Sequence, residues 1–163
     1  MKLSGIVLAF LVITSVASCS KDNKGIDDGM RLTVDGKEIV FTSFTKAEYD
    51  SSAGIHSLLI RGSDADTKPN LVSLGLTQDD AITPGTYVHS KTNREFYVTL
   101  DWSPAGEDYA NPYYGGLDSN DPMSITITSI TATRIQGTFQ GTVRRAGGTV
   151  EVISNGSFNL ALE

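Results

Sequence analysis

Phe96-Tyr97-Val98-Thr99-Leu100-Asp101-Trp102 places a large apolar side chain at every even position, while its odd positions include Thr99 and Asp101. Strand side chains alternate between faces, so this stretch reads as a strand with one face in a core and one in water. The same period runs from Ile135 through Gly137, Phe139, Gly141 and Val143, with Gln136, Thr138, Gln140 and Thr142 between them. It predicts a last strand in which Val150, Val152, Ser154, Gly156, Phe158, Leu160 and Leu162 share a face. After residue 29 no long run carries apolar residues at helical spacing.

Outward from these three segments, strands are expected at Arg31–Val34, Lys37–Phe44, Ile55–Arg61, Leu71–Thr77 and Ser124–Ile130. Asp35-Gly36 between the first two is a type I′ hairpin signal, because that turn needs positive φ at both positions. Thr83-Pro84-Gly85-Thr86 reads as a type II turn, and Ala146-Gly147-Gly148 as the closure of another hairpin. Ser and Thr number 34, which suits the solvent faces of antiparallel sheets. About eight strands with frequent turns predict an all-β domain over residues 30–163, an antiparallel β-sandwich or barrel. Gly137-Thr138-Phe139 and Gly156-Ser157-Phe158 repeat one small pattern, a glycine two residues before an inward aromatic. They read as neighbouring strands on which a ring lies over bare backbone, with Phe139 and Phe158 both buried.

The N-terminus is an address rather than part of the fold. Lys2 precedes an unbroken apolar run of eight, Ile6 to Ile13, well short of the ~18 residues of a spanning helix. Val16-Ala17-Ser18-Cys19 follows, and it resembles the bacterial lipobox: an aliphatic residue, two small residues and Cys. The resemblance implies a signal peptide over 1–18 and a Cys19 that becomes the lipidated first residue. Several acyl chains, at about 0.8 kcal/mol per buried CH₂, make a durable membrane anchor where one chain binds only marginally. Residues 19–29 then form a polar tether. Within it Ser20-Lys21-Asp22-Asn23 resembles the Lys-plus-acidic export signal of surface-exposed Bacteroidota lipoproteins, with Asn23 in place of a second acid. Ile125-Thr126-Ile127, Gly137-Thr138-Phe139 and Asn155-Gly156-Ser157-Phe158 resemble the final I-T-x-I, G-T-F and N-G-x-F strands of small uncharacterised lipoproteins of the same group. That resemblance implies an outer-membrane, surface-exposed location and a β fold, and it supplies no catalytic residues.

The charge balance and the residue inventory narrow the function classes. Thirteen Lys plus Arg against 19 Asp plus Glu give −6, the wrong sign for a nucleic-acid partner. One Cys among 163 residues forms no internal disulfide and no multi-thiolate metal site. His56 and His89 are the only histidines, and no H-E-x-x-H, G-x-S-x-G, P-loop or dinucleotide pattern accompanies them. No cofactor is implied. Asp64-Ala65-Asp66 and Asp79-Asp80 lack the spacing of a calcium loop and read as solvated turns.

Ser103–Pro122 stands apart, with three of the five prolines, four acids, no Lys or Arg, and Tyr109, Tyr113 and Tyr114. Loops of more than about 12–15 residues without structure of their own are often functional. Trp102 shares the parity of the inward residues, which leaves the three tyrosines, with Asp108 and Asp118, as candidate ligand contacts. A segment with acids and no cation should select a neutral glycan over an anionic one. The alternative is an Ω-like loop whose tyrosines cover one open end of the core. The sequence therefore supports a non-catalytic glycan- or peptide-binding module first, and a structural or assembly component of the envelope second. A hydrolase has only surface acids and two histidines behind it.

Overall fold

The computed structural model describes residues 28–92, 95–116 and 120–163, so the predicted signal peptide, Cys19 and most of the tether lie outside the described residues. Eleven strands and one 3₁₀ turn follow in order, with no α-helix among the described residues. They are β1 Gly29–Val34, β2 Lys37–Phe41, β3 Phe44–Asp50, β4 His56–Ser63, β5 Leu71–Gln78 and β6 Gly85–Val88. β7 Phe96–Ser103, β8 Tyr113–Gly116, β9 Met123–Ile130, β10 Arg134–Arg144 and β11 Val150–Ala161 complete the chain.

The strands hydrogen-bond in the order β2-β1-β11-β10-β8-β7-β5-β4-β3, and β9 and β6 branch from β10. β10 makes the branch possible because it is eleven residues long: Ile135–Gly141 pair with β9, and Arg144 pairs with Tyr114 of β8. At the far end of the order β3 meets the end of the chain. Ala47 bridges Leu162 in parallel, Tyr49 N–H donates to the Glu163 carbonyl (3.1 Å), and Glu163 N–H donates to the Ala47 carbonyl (3.0 Å). The antiparallel sheet is thus nearly closed into a barrel. Its interior is packed with side chains such as Leu58, Leu74, Leu100, Ile125, Ile135 and Phe158, each 2% exposed or less.

The alternation of β7 and β10 is as expected: Val98, Leu100 and Trp102 are buried, and so are Ile135, Phe139 and Val143. The Asp35-Gly36 hairpin has φ of 49° and 76°, the positive pair that its turn demands. Gly137 lies opposite Phe158 and Gly156 opposite Phe139. A Cβ on Gly156 would sit 2.7 Å from the Phe139 ring, and one on Gly137 2.5 Å from the Phe158 ring. The two rings then stack with centroids 6.4 Å apart.

Four expectations are corrected. The predicted strand Lys37–Phe44 ends at Phe41, and the chain turns at Thr42-Ser43 into β3, for which no alternation was visible. The Thr83–Thr86 turn is instead the approach to β6: Gly85 pairs with Ile127, and the Tyr87 hydroxyl donates to the Thr83 carbonyl at 2.9 Å. β8 falls inside the segment read as a loop. Finally, β11 carries a bulge: its register shifts against β1 between Ser157 and Ser154 and against β10 between Gly156 and Ile153, and Asn155 adopts φ 50°. One extra residue reverses the side-chain faces beyond it. Val150 and Val152 are therefore exposed and Ile153 is buried, the reverse of the predicted face.

Candidate functional site

Antiparallel register aligns one outward residue from each strand across the sheet. Arg61, Ser73, Asp101, Tyr114 and Arg144 lie in a single row over β4, β5, β7, β8 and β10. Direct cross-strand neighbours stand about 4.5–5.5 Å apart at Cβ, so Tyr114 stands between Asp101 and Arg144 in the row. Tyr114 is 53% exposed. Around it is a groove of ≈ 660 Å³, also lined by Thr99, Asn120 and Asp121.

Two charged groups of the groove are tied to each other. Arg144 donates from Nη2 to Asp121 Oδ1 (2.9 Å) and from Nε to Oδ2 (3.2 Å), a two-pronged pair. Asp101 differs. It accepts no hydrogen bond and joins no ion pair among the described residues, and burial in the sheet face pushes its carboxyl above the ordinary carboxylate value.

The other predicted contacts separate. Tyr113 is 4% exposed and points into the end of the barrel, the reverse of a ligand contact. The parity of β8 decides this, since adjacent strand residues face opposite sides. Arg145 packs over its ring, 4.2 Å from the centroid, and burial followed by the neighbouring Glu151 carboxylate raises its phenol. Glu151 also accepts the Trp102 Nε1–H at 2.6 Å, and Arg145 pairs with Glu107 at 2.5 Å. That part of the segment is a lid on the core, as the Ω-loop alternative expected. Tyr109 is partly exposed, but its hydroxyl donates to the Pro69 carbonyl (2.8 Å), and it does not line the groove. Asp108 caps its own turn by accepting the Ala110 N–H at 2.9 Å. Asp118 lies outside the described residues.

The premise of an uncompensated acidic segment also fails in space. Ser103–Pro122 contains no basic residue, yet the end of β10 delivers Arg144 to Asp121 and Arg145 to Glu107. The missed members of the site are Asp101, Arg144, Asn120 and Asp121. Asp101 was on the solvent face of the clearest strand in the sequence, but its alignment with Tyr114 depends on a strand that local pattern does not reveal.

The remaining candidates serve the fold. His56 shares a 2.7 Å hydrogen bond with the Tyr49 hydroxyl at the start of β4, while His89 follows β6. Asp64 accepts from Asn70 N–H (2.7 Å) and Nδ2–H (2.6 Å), and Asp66 accepts from the Ser43 hydroxyl. Among the described residues no three His, Cys, Asp or Glu side chains gather as a metal site. In comparisons with known proteins, no family model, no curated protein and no solved structure matches the chain.

Proposed function

We propose that this chain is a lipid-anchored protein of the outer-membrane surface, held through Cys19, whose barrel binds a glycan without catalysis in the groove around Tyr114. The observation that carries the reading is a half-exposed tyrosine whose cross-strand neighbours are an aspartate and an arginine, all three lining one groove. A sugar presents a C–H face to such a ring and hydroxyls to the flanking polar groups. Strands on both sides hold these groups in place, so little ordering entropy opposes binding. The assembly reading has a free edge at β2 to support it, but that strand is short and bears Lys37 and Glu38, features that discourage edge pairing.

The test is a glycan array probed with the full chain in detergent micelles, followed by titration of each bound glycan. Tyr114→Ala should weaken binding about tenfold or more, since each 1.4 kcal/mol of lost contact is a factor of ten. Tyr109→Ala should leave affinity unchanged. Equal binding by Tyr114→Ala and the parent chain, or no bound glycan at all, overturns the proposal.

A further inference from the structure

Among the described acids near the groove, each can be assigned a role except Asp101. Asp121 receives Arg144, Glu107 receives Arg145, and Asp108 closes a turn. Asp101 has lost part of its hydration to the sheet face and has no donor in return among the described residues. A polar group left in that state costs free energy until something donates to it. Its neighbour adds to the demand. The face of a tyrosine ring carries negative potential and attracts cations lying within about 6 Å. Asp101 and Tyr114 are direct cross-strand neighbours lining one groove, so a cation held by the carboxylate lies beside the ring, and the guanidiniums around them are engaged elsewhere: Arg144 by Asp121, Arg145 by Glu107 and Arg61 by Glu48.

We infer that the Asp101–Tyr114 end of the groove receives a primary ammonium group carried by the ligand, either on an amino sugar or on a lysine side chain. This inference rests on the binding role proposed above. An uncharged hydroxyl satisfies the carboxylate but gains little from the ring face, whereas an ammonium does both. A ligand carboxylate at this position meets repulsion from Asp101. The chain's net charge of −6 favours the approach of a cation from a distance.

Three probes separate the possibilities in titrations of the full chain in micelles: a glucosamine trisaccharide, its fully N-acetylated form, and an end-blocked Gly-Lys-Gly tripeptide. The amine-bearing sugar should bind at least tenfold more tightly than the acetylated one. Asp101→Asn should abolish that preference without weakening the acetylated sugar, and Tyr114→Leu, which keeps bulk but loses the ring face, should reduce it. Selective binding of the tripeptide with the same Asp101 dependence supports the ammonium site and assigns it to a peptide source. Equal binding of the two sugars, or an amine preference that survives Asp101→Asn, overturns the ammonium inference while leaving the glycan reading intact. Failure of all three probes to bind overturns the ammonium inference, and a blank glycan array beside it removes the glycan reading too.

Discussion

At the scale of single residues, Asp101 shows the opposition between stability and binding. Its carboxyl is held above its unfolded value of about 3.9 by desolvation alone. The folded state therefore takes up the proton more readily than the unfolded one. Whatever Asp101 contributes to stability is complete below the unfolded value and is lost as pH rises through the folded value. Near neutral pH the charged form works against the fold. Asp101→Asn should accordingly raise Tm near pH 7, and the gain should shrink toward zero below about pH 3.5 as the native carboxyl becomes neutral. Thermal melts at several pH values check this. A Tm difference that does not change with pH would mean that the carboxylate has a partner in solution. A residue that burdens the fold and faces a groove is the kind of compromise expected of a binding site.

At the scale of elements, the glycine–aromatic exchange between β10 and β11 ties the two longest strands together. Phe158→Ala should cost about 3–5 kcal/mol, from lost contact plus the cavity left behind. Gly156→Ala should also destabilise, because its Cβ would meet the Phe139 ring at 2.7 Å and the Phe139 carbonyl at 2.6 Å. The two positions share the stacked ring pair, so the double variant should lose less than the sum of the single losses. Denaturant melts of the three variants measure the coupling, and strict additivity would disprove it. This pairing was legible because both halves of the pattern are local. The faces of β7 and β10 were legible for the same reason. The bulge at Asn155 was not, because an uninterrupted period of two conceals an inserted residue until the neighbours' register is known. β8 was hidden by length and composition: four residues, two of them glycine, form a strand only because β7 and β10 lie on either side. The site followed the same rule. Tyr114 was legible as an aromatic in an acidic segment, whereas its partners Asp101 and Arg144 come from strands brought alongside by that hidden element.

At the scale of the whole molecule, β10 separates the groove from the point where the tether joins. Asp28 accepts a 2.9 Å hydrogen bond from Arg134 Nη2, and Gly29 pairs with Asn159, so the chain enters the barrel at the start of β10. Arg144, beside Tyr114, stands at the other end of that strand, about 33 Å away at 3.3 Å per residue. If acyl chains on Cys19 anchor the protein, the tether brings the Arg134 end toward the bilayer and presents the Tyr114 groove to the medium. The orientation is measurable because the sequence contains one cysteine, and the proposed lipid on Cys19 would block its thiol. A fluorophore on Ala161→Cys, at the tether end, should be quenched by a lipid-borne headgroup quencher. The same fluorophore on Ala146→Cys, in the turn that follows Arg144, should escape it. Both positions are exposed, so neither label needs to displace the core. Cys19→Ala should remove the lipid and, with it, all association with the vesicles. Equal quenching at both labels would lay the barrel on its side and bring the groove against the membrane. Vesicle binding that survives Cys19→Ala would show that something other than the N-terminal lipid holds the barrel there.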